Sequence, residues 1–526
     1  MSHANAIILA AGLGERAAPL TFETPKGLLK VYGVPMIERQ IEQLLEKEIS
    51  EIVIVVGYMK EKFDYLIDKY GVELVFNPEF AKKNNLASLY FVRDKLNSTY
   101  LIMSDIYMTE NIFSVAESTS WSSCPFFTGK TDEWIVSEKT QDGIIREILI
   151  GGENAYGIQG PAYFSPEFST VFKTFLEDYY NRAESKDYYW EHILKLELKN
   201  LPPMYIKDTT GVVYEFENLE ELRRFDTSYF EETNNLVMQT IANVFKCSQG
   251  DVSEISVIKE GMSNRSFKFA LNSKTYVFRL PGADTGKLVN RQTEKEAYEA
   301  LAPYNLTDKV IFFDGSSGIK ISEFIEDCHN SDPYNDYELK LGMEMLAKIH
   351  KLNIKLSSDF DIENKTFYYT KIAKELNAIR FLDFDEMTVK MKRLYKLKKC
   401  LNIEEFFCHG DFLHANVLVL PDKTGKLIDF EFCGNGDPIM DVSMYSIFSD
   451  FDSGRMELAL QFYLGRVADE QEKLRLYLYA AIGAFLWTVW GEYKQANGSE
   501  FGDYMMKQYR YAKKYYKICE EMAENL

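Results

Sequence analysis

Cysteine is scarce in this 526-residue chain. There are seven, Cys124, Cys247, Cys328, Cys400, Cys408, Cys433 and Cys519. The number is odd and no C-x-x-C occurs, which argues against a disulfide framework or a structural zinc site and makes a reducing cytoplasm the simplest setting. A positive balance is also missing. The formal net charge is −20, and no basic stripe of the kind that follows a nucleic-acid backbone stands out. Long hydrophobic runs are absent too. The opening eleven residues contain an apolar stretch but lack a charged leader region, so they do not read as a signal peptide. The later run Leu478–Trp490 is too short to span a bilayer and reads as a buried helix, with no membrane insertion. Internal repeats and low-complexity segments do not occur.

What is there suits a soluble globular protein. Hydrophobic residues make up 46% and charged residues 27%, enough apolar material for at least two cores, and the length suggests two to four domains. The first third alternates short apolar runs with amphipathic stretches: strands at 6–11, 51–56, 72–76 and 100–104, helices at 36–47 and 60–70. Such alternation predicts an α/β, doubly wound, Rossmann-like sheet with ligands at the carboxyl ends of its strands. Near residue 230 the pattern breaks at Ser228–Asn235, which is polar and aperiodic. We place the domain boundary there, 1–229 and 230–526. Beyond it come strands at 255–259, 265–272 and 274–280, a helix at 290–301, strands at 310–313 and 319–324, and then mostly helix, interrupted by strands at 417–420 and 426–430. A small β lobe before a helical lobe predicts a bilobal, protein-kinase-like α+β domain.

The strongest local signal is Leu9-Ala10-Ala11-Gly12-Leu-Gly14-Glu-Arg16, then Pro19-Leu-Thr and Thr-Pro-Lys26-Gly-Leu. A glycine turn directly after a strand lets backbone N–H groups approach phosphates. Arg16 and Lys26 can neutralise a triphosphate and the leaving pyrophosphate. The strand 100–104 ends in Asp105, which suits a metal ligand as well as a cap. Later, Val213-Tyr-Glu-Phe-Glu217 offers Glu215 as a first and Glu217 as a second choice for another carboxylate.

This combination resembles the nucleotidyltransferase family that joins NTPs to sugar phosphates or choline phosphate, and within it the bacterial CTP:phosphocholine cytidylyltransferases. The resemblance covers roughly residues 4–226. It implies that Asp105 and Glu215 or Glu217 hold Mg²⁺, that Leu9, Ala10, Ala11, Gly12 and Gly14 with Gly57, Tyr58, Asn85 and Ser88 border CTP, and that Lys26 and Arg16 are catalytic. Trp134, Tyr189 and Trp190, with Glu191, would receive a quaternary ammonium, which is drawn to π faces and cannot donate hydrogen bonds; each ring could equally be core. Ala17-Ala18 departs from the bulkier or basic residue common in that family, so one phosphate contact is missing or comes from elsewhere.

In the second half, Cys-His409-Gly-Asp411-Phe-Leu-His414-Ala-Asn416 is followed by Lys-Leu-Ile-Asp429-Phe-Glu431. H-G-D-x-x-x-x-N before I-D-F-E resembles the choline kinase and aminoglycoside phosphotransferase group. It implies Asp411 as catalytic base, Asn416 and Asp429 as Mg²⁺ ligands, His409 as a structural loop residue, and no assigned role for His414. For ATP it implies Ser263 and Asn264 in a covering turn, Arg279 paired with Glu294 or alternatively Glu296, and a hinge at Glu323 and Ile325. Trp487 and Trp490, three apart on one helix face, and Glu431 resemble a choline pocket. The implied partners are choline, phosphocholine, ATP and CTP, with no nucleic acid, and a homo-oligomer is left open. The expected function is two fused enzymes that make CDP-choline. Ethanolamine or another amino alcohol as acceptor, an antibiotic-type phosphotransferase fused to a sugar-nucleotide transferase, and a non-catalytic nucleotide sensor are the alternatives.

Overall fold

A computed structural model describes residues 4–137, 142–258, 264–282, 289–496 and 502–524. The chain divides into two compact units, residues 1–257 with 269–272, and residues 258–268 with 273–526.

The first unit is built on a seven-stranded sheet in the order Met204–Asp208, Ser120–Cys124, Ala162–Phe164, Thr99–Met103, Asn5–Ala10, Ile52–Val56, Glu73–Phe76. Its pairings are parallel except at Ala162–Phe164, which runs antiparallel to both neighbours. The central strand Asn5–Ala10 is buried throughout. Because successive side chains point to opposite faces, Ala6, Ile8 and Ala10 enter one core with Ile37, Ile41 and Leu44, while Ile7 and Leu9 enter the other with Phe168, Phe172 and Leu176. Residues 37, 41 and 44 recur at helical spacing on Met36–Leu45, so the two periodicities meet along one strand. Each of the Ile, Leu and Phe side chains contributes about 1.5–3 kcal/mol when fully buried.

Two sequence expectations are modified here. The stretch 60–70 is a 3₁₀ turn, Lys60–Phe63, followed by the α-helix Tyr65–Tyr70. The aperiodic segment 228–235 is held in place: Ser228–Glu231 forms a helical turn, and Asn235 caps Leu236–Phe245 through its side chain. Asn235 Nδ2 also donates to the Pro19 carbonyl at 3.3 Å.

In the second unit, strands Lys274–Pro281, Lys320–Glu323 and Val310–Phe313 hydrogen-bond antiparallel in that order. The helix Arg291–Leu301 begins where the Asn290 side chain accepts from Gln292 and Thr293 N–H, the usual cure for unpaired amides at a helix start. The helical part closes around Glu470–Ala496, against which Ile362–Glu375, Ile439–Phe448 and Gly502–Ala523 pack. This helix extends well beyond the apolar run at 478–490 and so has the length and composition to cross a membrane, but 94% of its apolar window is buried inside the unit, in keeping with the buried helix read from sequence.

Candidate active sites

In the first unit the strand Asn5–Ala10 hands over to a loop in which Gly14 has φ 63°, a backbone state that L-residues rarely adopt. The Tyr58 N–H donates to the Ala11 carbonyl at 3.1 Å. A Cβ on Gly57 would meet that same carbonyl oxygen at 2.7 Å and the Phe80 Cβ at 2.6 Å, so only glycine allows the two strand ends to approach so closely. Gly27 is similarly confined, with its hypothetical Cβ at 2.7 Å from Ser104 Cβ. That approach brings the preceding lysine beside the next strand end: Lys26 Nζ lies 2.7 Å from Asp105 Oδ2. Burial alone would lower the Lys26 pKa, but the Asp105 and Glu215 carboxylates outweigh it and hold the ammonium above its ordinary value.

Glu215, rather than Glu217, converges on this pair. Its carboxyl is raised by burial and then by the charge of Asp105, with Lys26 opposing, and Gln159 Nε2 donates to it at 3.3 Å. Glu217 instead forms an ion pair with Arg16. Glu191 belongs to the same electrostatic group. Burial, then the charges of Glu215 and Asp105, push it up to about 8, and its Oε2 has no hydrogen-bond partner among the described residues.

The aromatic expectations divide. Trp190 is 1% exposed and packs on Phe164 and Phe172, at 5.7 and 6.5 Å between ring centroids; the structure makes it a core residue, at the position just before the helix Glu191–Glu197. Trp134 is half-buried and meets the His192 ring edge-on at 4.7 Å, and Tyr189, 40% exposed, lies nearly parallel to the same imidazole. Asn85 joins these parts by accepting the Trp190 N–H at 2.9 Å. Ser88 is buried, and its Oγ accepts from Asn77 Nδ2 at 2.9 Å; Tyr58 is buried with its hydroxyl on the Thr21 carbonyl. Both polar groups are therefore engaged within the protein. Leu9, Ala10 and Ala11 are buried, while Gly12 faces open space.

In the second unit, Val417–Val419 and Gly425–Leu427 pair antiparallel, and Ile428 N–H donates to the Asn416 carbonyl at 3.0 Å. This brings Asn416 and Asp429 together. Asn416 Nδ2 donates to the Asp411 carbonyl at 3.0 Å, so the three sequence-predicted residues share one corner. Burial, then Asp429 and Glu431, raise the Asp411 carboxyl well above the carboxylate range. Asp429 is raised by burial and by Glu431, with Arg279 opposing, and its Oδ1 accepts no hydrogen bond among the described residues. That oxygen has only an ion-pair contact with Arg279 Nη1 at 3.8 Å, and crowded buried carboxylates with an oxygen free of hydrogen bonds fit a divalent cation.

Arg279 is bound by Glu294 through both guanidinium nitrogens, one at 3.0 Å. Glu296 accepts the Ser357 N–H instead, so Glu294 is the partner. Asn264 and Glu431 form another cluster: Asn264 Nδ2 donates to Glu431 Oε2 at 2.9 Å, and Arg291 Nη1 lies 3.2 Å from the same oxygen. Glu323 pairs with Lys309 at 2.7 Å, and the Ile325 carbonyl accepts from the Cys328 thiol. Ser263 lies outside the described residues. His409 Nε2 meets the Ile428 carbonyl at 3.0 Å, while His414 is half-buried beside Ser449.

Trp487 and Trp490 are 5.5 Å apart at 81° and buried, with Phe432 and Phe448 edge-on to Trp487. Sequence reasoning missed Tyr504, which stacks along Phe448 and feels the charge of Asp411. It also missed Asp441, whose carboxylate accepts His409 N–H and Gly410 N–H at the start of the loop holding Asp411. The spacing Asp437-x-x-x-Asp441 after I-D-F-E was the available signal.

Comparison with known proteins agrees with this division. A MobA-like NTP transferase domain matches residues 6–104, and a phosphotransferase enzyme family domain matches residues 254–477. The choline-phosphate cytidylyltransferase of Streptococcus pneumoniae is 37% identical over 224 residues, 42% of this chain and 96% of that protein. The 2-aminoethylphosphonate cytidylyltransferase of Lancefieldella rimae is 35% identical over 229 residues, 43% and 93% of the two chains. The crystal structure of choline kinase LicA from Streptococcus pneumoniae matches at 25% identity over 54% of this chain and 98% of that one, with a TM-score of 0.48. The chain belongs to the choline-phosphate cytidylyltransferase family, and behind that transferase unit it carries a kinase-like domain of the phosphotransferase enzyme family.

Proposed function

We propose that this enzyme makes CDP-choline in two steps, with residues 1–229 as the cytidylyltransferase and residues 230–526 as the kinase. The observation that carries this reading is that each unit assembles its own set of charged groups. Lys26, Asp105 and Glu215 converge in one, and Asp411, Asn416, Asp429 and the Arg279–Glu294 pair in the other.

In the kinase, Asp411 orients the choline hydroxyl and takes up its proton as that oxygen attacks the γ-phosphorus of ATP. Arg279, fixed by Glu294, faces the phosphates. Asn416 and Asp429 would hold Mg²⁺, which when bound draws charge off the transferring phosphoryl group. In the transferase, a phosphocholine oxygen attacks the α-phosphorus of CTP and pyrophosphate leaves. Lys26 neutralises charge developing on the phosphates, and Asp105 with Glu215 would hold the metal there. The Gly12–Gly14 loop presents backbone N–H groups to the triphosphate. Trp487 and Trp490 supply π faces for the trimethylammonium group. The odd number of cysteines and the lack of a C-x-x-C fit a cytoplasmic setting.

A second reading changes the acceptor to a primary amine. It is favoured by the likeness to the aminoethylphosphonate enzyme and requires hydrogen-bond acceptors beside the rings. Incubation of the full chain with choline, ethanolamine, phosphocholine and 2-aminoethylphosphonate, each with ATP, CTP and Mg²⁺ and followed by ³¹P NMR, separates the two. Conversion of choline to CDP-choline at the highest kcat/KM is expected. A higher kcat/KM for ethanolamine, or for the phosphonate in the second step, would replace choline in that half.

A further inference from the structure

The helix Arg291–Leu301 carries Glu294 and, one turn later, Tyr298. Residues four apart lie on one helix face. Glu294 binds Arg279. Tyr298 has no role in the reading above, yet its hydroxyl oxygen accepts two hydrogen bonds: from the backbone N–H of Asp429 at 3.2 Å, and from Lys320 Nζ at 2.8 Å. Lys320 in turn reaches Asp308 Oδ2 at 2.8 Å. Tyr298, Lys320 and Asp308 are 3%, 6% and 8% exposed, so an ion pair has been taken out of water to stand behind a phenol. The Lys320 ammonium also lies 4.2 Å from the Tyr298 ring centroid, and the ring is wedged edge-on against Phe430 at 5.1 Å.

The N–H that Tyr298 receives belongs to an unusual residue. Asp429 has φ 67°, a state that costs a non-glycine residue energy and persists only where its surroundings hold it. It also lies beyond the end of strand Gly425–Leu427, outside that ladder. We propose that Tyr298 is a positioning residue for the metal-binding carboxylate: by receiving the Asp429 N–H it holds that backbone in the left-handed state, so that one helix sets both Arg279, through Glu294, and Asp429. Lys320 fixes the phenol and Asp308 balances its charge. The inference rests on the kinase reading only where it concerns the metal.

Tyr298→Phe keeps the ring, the helix and the Lys320–Asp308 pair while removing the acceptor. The first measurement is amide hydrogen exchange at Asp429 in metal-free full-length protein. In the wild type this amide should be protected. In the variant it should exchange about fivefold faster, the effect of losing a hydrogen bond of roughly average strength. The second measurement is Mn²⁺ binding with a non-hydrolysable ATP analogue, followed by the electron paramagnetic resonance of free Mn²⁺. Affinity should fall roughly three- to tenfold, with KM for choline within about twofold of wild type. An unprotected Asp429 amide in the wild type overturns the proposal without recourse to any variant, as does equal exchange in the two proteins. Equal Mn²⁺ affinity in the two proteins overturns it as well. If the wild type binds no Mn²⁺ with the analogue, the kinase reading fails, while the exchange comparison still judges Tyr298.

Discussion

Arg291 Nη1 stands 3.2 Å from Glu431 Oε2 and 2.9 Å from Glu294 Oε2. One guanidinium nitrogen thus bridges the carboxylate two residues after Asp429 and the carboxylate that fixes Arg279. Glu431, expected from sequence to meet the substrate ammonium, is engaged with Arg291 and Asn264. Glu431→Gln should therefore lower kcat on the order of tenfold, in line with a hydrogen bond to a charged group, and raise KM for ATP at least as much as KM for choline. A rise confined to choline would return Glu431 to the ammonium.

The two charged groups belong to separate units, so their losses should separate. Asp105→Ala is expected to abolish CDP-product formation and leave ATP-dependent phosphorylation within about twofold of wild type. Asp411→Ala should do the reverse, and supplied phosphocholine should restore CDP-choline. Loss of both activities from one substitution in a folded protein would contradict two independent enzymes.

Trp487 and Trp190 should respond differently. Trp487→Leu keeps apolar bulk but removes a π face worth about 0.5–2 kcal/mol, so KM for choline should rise roughly three- to thirtyfold with a smaller change for ATP. Trp190 packs among Phe164 and Phe172, and Trp190→Leu should lower the thermal midpoint and weaken CTP and phosphocholine use alike. A selective phosphocholine defect in Trp190→Leu would place that ring at the substrate after all.

Glu191 should leave a signature in the pH dependence of stability. Its ordinary pKa of 4.5 is raised on folding to about 8, first by burial. Between those values the folded protein keeps a proton that the unfolded chain releases, so stability falls as pH rises from about 4.5 to about 8. Glu191→Gln cannot ionise. Denaturant titrations of metal-free protein should show the stability gap between variant and wild type widening in favour of Gln across that window. A constant gap would mean that the carboxyl titrates normally.

Metal removal should stop both reactions, because Asp105 with Glu215 and Asn416 with Asp429 are separate clusters. Either half remaining active in EDTA-treated enzyme would remove the metal role from its residues.

Much of this was legible because it is local. The strand Asn5–Ala10 and its glycine loop, and Asn416 and Asp429 flanking a short hairpin, lie within short sequence distances. Periodicity also exposed the two-faced burial of the first sheet. What was hidden is long-range. Nothing near Glu431 announces Arg291, 140 residues earlier, and nothing near Asp105 announces that Glu215 rather than Glu217 returns to it. Trp190 looked like a ligand-binding ring because aromatic character is the same in a core and in a pocket; only packing separates them. The hairpin of Phe126–Val136 and Ile148–Tyr156 went unread because its exposed faces leave no apolar alternation to detect.

The helix Glu470–Ala496 has a consequence for how the protein is made. Its apolar surface is covered in part by Gly502–Ala523, which follow it in the chain. During translation the helix therefore leaves the ribosome before its cover. Until Gly502–Ala523 docks, the apolar side that it covers is open to chaperones.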